Sequence, residues 1–215
     1  PLILRSLIDH GMNVDIENEM GQTLLMSAAY IGDVESVRIL IDAHSNVNKR
    51  DSDDKTPTMY LVSGMGSEED KKVILKFFID SGADIDTSSP DRASPLAICV
   101  FCDKHTEIIK HLLELGVSPN GSSGDVVRPL TLALAMGRDD VATMLLDAGA
   151  DLKLCDDFSS HQKSRTWYHA RHFSQNGEFS LHTPLMNAAL NNNIGMIKKL
   201  LNAGANIDAK TPYGE

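Results

Sequence analysis

An all-α solenoid of stacked helix–turn–helix units, with β-turn fingers projecting at one side, is the fold this sequence predicts. Two phrases that recur in step, and the helix-making chemistry of their residues, predict it. The first phrase is an apolar pair running into a Gly-Ala-Asp-like triplet, as in Leu145-Leu146-Asp147-Ala148-Gly149-Ala150-Asp151. Its glycine-equivalent positions are 11, 44, 82, 116, 149 and 204, separated by 33, 38, 34, 33 and 55 residues. The second phrase starts at Thr23, Thr56, Ser94, Arg128 and Thr183, with spacings of 33, 38, 34 and 55. Two phrases drifting by identical amounts mark a structural repeat.

Each phrase has a physical role. A Thr or Ser before Pro starts a helix, because the hydroxyl accepts from an orphan N–H and Pro sits where no N–H is needed. Small pairs such as Ala28-Ala29 and Ala188-Ala189 allow two helices to approach closely. A second helix follows with apolar spacing, as in Val34, Val37, Ile39, Leu40 and Ile41. The glycine then ends it in a left-handed conformation that a Cβ penalises. A single unit cannot bury its apolar faces alone, so units must stack.

From Pro1 to Glu215 the pattern resembles the ankyrin repeat family, whose units open Asp-x-x-Gly and continue Thr-Pro-Leu-His. In that register one ankyrin-repeat domain fills residues 1–215. Its units are 1–17 (partial), 18–50, 51–88, 89–122, 123–177 and 178–210, with 211–215 opening another. The register predicts an interior slice of a longer array. The family's His is replaced throughout, by Met26, Met59, Ala97, Thr131 and Met186, so the units are expected to be less rigid than consensus ones. His44 stands where the capping Gly belongs, and Asn192 replaces the Gly of an interhelix turn, a geometry Asn tolerates.

Bulk properties narrow the function. A 42% apolar composition with only 5% aromatics predicts a core of Leu, Ile, Val, Ala and Met. The net charge of −10 argues against a nucleic-acid partner, which needs clustered Lys and Arg, and favours a protein partner with a basic patch. Three cysteines do not make a disulfide framework, and predict a cytoplasmic or other intracellular setting. For a secreted effector that setting is a host cell. No apolar run approaches the roughly 18 residues of a membrane span, so no membrane insertion is expected.

No catalytic grammar emerges. The chain holds no phosphate-cradling loop and no grouped nucleophile, base and oxyanion hole. Cys99-Val100-Phe101-Cys102 is formally a C-x-x-C, yet Cys99 occupies the slot of Ala28 and Ala188, so it reads as a small buried residue. His161, His169, His172 and His182 near Cys155 fit no ligand spacing. Neither a cofactor nor a catalytic activity is expected of this stretch, and the chain is expected to be monomeric.

Two segments exceed the repeat length. Residues 64–71 add about five residues between two helices and read as a tolerated acidic surface loop. The excess after Cys155 is richer: Phe158, Trp167, Tyr168 and Phe173 are four of the chain's eleven aromatics, set among Lys163, Arg165 and Arg171. Trp, Tyr and Arg are enriched at interface hot spots. Arg165, Trp167, Tyr168, Arg171 and Phe173 are therefore candidate partner contacts. Packing between two units and disorder are the competing readings.

The resemblance implies protein recognition through a concave face of first helices and fingers. Its exposed slots there include Tyr30, Asp33, Asp53, Lys55, Phe101, Met136 and Arg138. The alternative it allows is a substrate-recruiting or regulatory arm of a multidomain enzyme or secreted bacterial effector. Asn48 and Asn120 match a finger slot that is hydroxylated in some intracellular members. The plainer reading is an Asn that bonds within its hairpin.

Overall fold

A computed structural model describes residues 1–88, 93–102, 105–122, 128–153 and 182–210. Eleven helices fall among the described residues, and two compact units divide the chain, Pro1–Pro90 and Asp91–Glu215. In the first unit, α1 (Leu2–Asp9) precedes the pairs α2 (Leu24–Ile31) with α3 (Val34–Asp42) and α4 (Pro57–Ser63) with α5 (Glu68–Asp80). Helix α2 packs on α3 and α4, and α3 packs on α5 and α1. In the second unit the pairs are α6 (Pro95–Phe101) with α7 (Thr106–Glu114), α8 (Pro129–Ala135) with α9 (Asp139–Asp147), and α10 (Pro184–Leu190) with α11 (Ile194–Asn202). There α8 lies against both α6 and α10, while α7 packs on α9.

The predicted caps form. Thr23, Thr56, Ser94 and Thr183 accept hydrogen bonds from the N–H groups of Met26, Met59, Ala97 and Met186. Arg128 makes no side-chain cap bond, as expected of a residue without an acceptor. At α2 the Met26 sulfur accepts from the Thr23 N–H at 3.4 Å. A thioether there satisfies the amide even though the family's His is missing. His44 adopts φ 65° and closes α3, with His44 N–H bonded to Ile41 O at 2.8 Å and Ser45 N–H to Leu40 O at 3.0 Å. That pairing is a Schellman ending achieved without glycine.

Core residues follow the predicted aliphatic pattern, with Phe78 added to it: Leu25, Ala29, Val37, Leu75 and Phe78 in the first unit, and Leu96, Ile109, Leu112, Ala142 and Leu145 in the second, are fully buried. Each Leu-sized side chain removed from water contributes roughly 1.5–3 kcal/mol. Thr58 takes the slot filled by Leu25, Leu96 and Leu130, and its hydroxyl is buried without a hydrogen-bond partner. Thr58→Val keeps the shape and removes that orphan group, so we expect stabilisation by about 1 kcal/mol in urea unfolding.

Residues 64–71 are more ordered than a plain surface loop. Ser67 caps α5, and Glu68 to Lys71 form its first turn. Lys71 is fully buried, with its Nζ donating to Gly64 O at 2.8 Å. Only Gly64 to Gly66 are non-helical before the cap, and the Met65 N–H bonds Tyr30 O at 2.7 Å.

Candidate protein-recognition surface

Two fingers of the first unit share one turn chemistry. Asp51 Oδ1 accepts from the N–H groups of Asp53 at 2.9 Å and Lys55 at 2.8 Å. One repeat earlier, Asn18 Oδ1 accepts from Met20 and Gln22, each at 2.9 Å. A side-chain acceptor at the first position thus locks each turn. The turns are tied together by Ser52 N–H to Met20 O at 2.9 Å and by a Lys49–Glu17 ion pair at 2.7 Å. Lys55 Nζ lies 3.5 Å from Asp53 Oδ2 at the exposed tip.

The fingers are braced against the first helices by Tyr60 of α4. Its hydroxyl donates to Asp51 Oδ2 at 2.5 Å and accepts from Gln22 Nε2 at 2.7 Å. Burial, followed by the Asp51 hydrogen bond, pushes the Tyr60 phenol well above its ordinary range. The proton therefore stays on Tyr60 at any physiological pH and keeps the brace intact. Tyr30 of α2 meets the Tyr60 ring edge-on, with centroids 6.5 Å apart and planes at 77°. A continuous chain of contacts runs from Tyr30 through Tyr60 and Asp51 to Asp53 and Lys55.

Three residues named from sequence, Tyr30, Asp53 and Lys55, therefore share one braced surface. Asp33 has a different occupation. Its carboxylate caps α3, accepting from Ser36 N–H at 3.0 Å and Ser36 Oγ at 2.6 Å. Those Ser36 bonds hold its pKa below the ordinary Asp value. Sequence reasoning overlooked Gln22, Asp51 and Tyr60. The signal was available for Asp51, which stands at the Asp of the Asp-x-x-Gly opening, with Asp54 in the Gly slot at φ 61°. Nothing in the sequence pairs Asp51 with Tyr60.

In the second unit, Phe101 ends α6 and Met136 caps α8, both half-buried. Arg138 corrects the expectation of an exposed slot: it is 7% exposed, and its guanidinium points inward. Nη1 donates to Val100 O at 2.7 Å and Cys99 O at 3.4 Å, and Nη2 to Thr106 Oγ1 at 3.2 Å. Cys99 is fully buried, matching its reading as a small core residue. Arg165, Trp167, Tyr168, Arg171 and Phe173 lie outside the described residues, as do His161, His169 and His172. Among the described residues no group of three or more His, Cys, Asp or Glu is placed to hold a metal.

A ladder of side-chain bonds links successive fingers within each unit. Asp15 Oδ1 accepts from Asn46 N–H at 3.0 Å, Asn48 Oδ1 from Asp84 N–H at 2.8 Å, and Asn120 Oδ1 from Asp151 N–H at 2.7 Å. Asn48 also donates through Nδ2 to Gly82 O at 2.9 Å. The Asn48 amide thus ties its finger to the next one, rather than bonding within its own hairpin.

Repeated helix pairs, phased caps and laddered fingers define an all-α repeat solenoid. The chain belongs to the ankyrin repeat family: the model for ankyrin repeats in three copies matches residues 1–70 and 65–156, and that for a single ankyrin repeat matches residues 180–212. A mouse relative, ankyrin repeat, SAM and basic leucine zipper domain-containing protein 1, is 31% identical over 107 residues. That match covers 50% of this chain and 22% of the mouse protein, so the chain spans under a quarter of that relative's length. The sheep protein of the same name is 29% identical over 107 residues, again 50% of this chain and 22% of its own. Among solved structures, the ankyrin repeat domain of human ASB11 matches with a TM-score of 0.72 and 23% identity. It covers 100% of this chain and 83% of its own. An ankyrin repeat domain from Acinetobacter baumannii gives a TM-score of 0.72 at 23% identity, covering 95% of this chain and 93% of its own. These structural likenesses establish the fold. Ankyrin repeats generally serve as protein–protein interaction modules, and ankyrin repeat domains are typically non-catalytic. No described helix is long and apolar enough to cross a membrane.

Proposed function

We propose that this chain is a non-catalytic protein-binding module that engages its partner through the fingers and first helices. The observation that carries the reading is the braced surface of the first unit. Tyr30 is 38% exposed, yet its ring is positioned by Tyr60, which is itself fixed by Asp51 and Gln22. A surface ordered before binding loses less side-chain freedom on association, and Tyr is a favoured hot-spot residue. The unit repeats assigned from sequence supply the scaffold, and the partner is a protein with a basic patch, met by a monomer inside the cell. Phe101 and Met136 are candidate contacts of the second unit. Arg165, Trp167, Tyr168, Arg171 and Phe173 form a second candidate element.

The mouse and sheep relatives, whose names join ankyrin repeats to SAM and basic leucine zipper domains, favour a second reading. In it this module is a recruiting or regulatory arm of a larger protein, an enzyme or effector among them.

The test is a pull-down from lysate comparing three forms: the native chain, Tyr30→Ala with Lys55→Glu, and a chain lacking residues 157–177. Circular dichroism first establishes that each is folded. The first variant is expected to lose most captured protein. Capture undiminished by it, but abolished by the deletion, moves the site to the insertion. Capture unaffected by either overturns both candidate surfaces.

A further inference from the structure

The short segment between α4 and α5 does more than lengthen a turn. The Met65 N–H is bonded to Tyr30 O, and Gly66 abuts Gly32 so tightly that a Cβ on Gly66 would lie 2.8 Å from the Gly32 Cα. From inside, buried Lys71 holds the Gly64 carbonyl. The backbone of residues 64–66 is thus fixed on two sides against the end of α2. The apolar side chains brought to this locality face water: Met65 is 72% exposed, Ile31 59% and Tyr30 38%. Apolar side chains clustered at one fixed place on a surface mark interaction sites more often than scattered ones do, and Met adapts its shape to varied apolar partners.

The flanking charges select the partner. Residues 30–37 and 63–70 carry Asp33, Glu35, Glu68, Glu69 and Asp70 and no Lys or Arg. Arg38 pairs with Glu35 at 2.8 Å and Lys72 approaches Glu69 at 4.0 Å, and with Lys71 three cations adjoin these five carboxylates. The Glu69 side chain remains 83% exposed. The local field is negative, in a chain of net charge −10.

We infer that Met65, Ile31 and Tyr30 form an apolar anchor site with an acidic rim, and that it takes a protein segment presenting a large apolar residue flanked by Lys or Arg. This rests on the reading of the chain as a protein-binding module and names the chemistry of the segment it binds. The rim raises the encounter rate and rejects acidic segments, while the apolar contacts hold the complex. The site lies where the first helix meets the interhelix turn, and it extends the braced finger surface through Tyr30.

The probe is a fluorescently labelled peptide of about 14 residues with central Leu and Trp anchors flanked by lysines. Two comparison peptides replace the anchors by Ser, or the lysines by Glu. Fluorescence anisotropy should show saturable binding of the first peptide alone, weakening as salt rises. Ile31→Gln with Met65→Gln should weaken it at least tenfold, which corresponds to about 1.4 kcal/mol. Leu190→Gln, at an exposed residue of the second unit, should leave it unchanged. Both variants alter exposed side chains, and circular dichroism checks that they fold. Equal binding of the anchor-free lysine peptide, or undiminished binding by the double variant, overturns the assignment. So does failure of the first peptide to bind. None of these outcomes touches the broader reading, which the lysate capture by the native chain and the Tyr30→Ala, Lys55→Glu variant decides separately.

Discussion

Replacing Gly32 by alanine is expected to destabilise the first unit by about 2–4 kcal/mol, combining left-handed strain with overpacking. Gly32 ends α2 at φ 84°, where its N–H bonds Ala28 O at 3.0 Å and Ala29 O at 3.2 Å. A Cβ there meets the Gly66 backbone at overlapping distance. Both glycines are therefore needed for residues 64–66 to lie on the end of α2. Gly82 provides the control. It has a similar φ of 80°, but a Cβ on it would meet nothing within 4 Å. Gly82→Ala should cost only the conformational part, about 1–2 kcal/mol. Urea unfolding of both variants, with hydrogen exchange at residues 64–71, separates the two contributions. Equal losses for both glycines would mean that the approach of Gly32 to Gly66 adds nothing to stability.

That close approach also shows where the sequence is legible and where it is not. Cap residues and core positions recur with the repeat, so Thr23, Thr56, Ser94 and Thr183 could be read as helix starts from spacing alone. The left-handed endings could be read even where His44 and Asn192 replaced glycine, because the position in the phrase survives the substitution. Contacts between repeats are different. They join residues far apart in the chain, and no local pattern announces that Met65 bonds Tyr30 O or that the Tyr60 hydroxyl bonds Asp51 and Gln22. The acidic string Glu68-Glu69-Asp70 suggests solvent. Its three carboxylates occupy the first turn of α5, where they suit the helix dipole, while the next residue, Lys71, turns inward. Charge alone gives the wrong location for such a residue.

Arg138 is the clearest case, and its removal should be among the most damaging single changes, costing about 3 kcal/mol or more. A first helix ends with carbonyls that need donors. At the end of α2 these come from Gly32 N–H, Asp33 N–H and, one repeat on, Met65 N–H. At α8 the Leu134 carbonyl accepts from Gly137 N–H and from the Asn191 side chain at 2.5 Å. At α6, no described residue of the following turn has positive φ. The Cys99 and Val100 carbonyls are met by the Arg138 guanidinium from the next helix pair. In all three cases the turn of one repeat supplies a donor to the helix end of the previous one, by a backbone N–H, an amide or a guanidinium. Arg138→Met keeps the length and apolar stem but leaves buried acceptors without that donor. Arg138→Lys restores a charge but not the fork that reaches Val100 O and Thr106 Oγ1 together, so it should recover only part of the loss. Urea unfolding of the two variants, with hydrogen exchange at α6 and α7, measures this directly. If Arg138→Met falls within about 0.5 kcal/mol of the native chain, the guanidinium's hydrogen bonds are balanced by the cost of burying its charge.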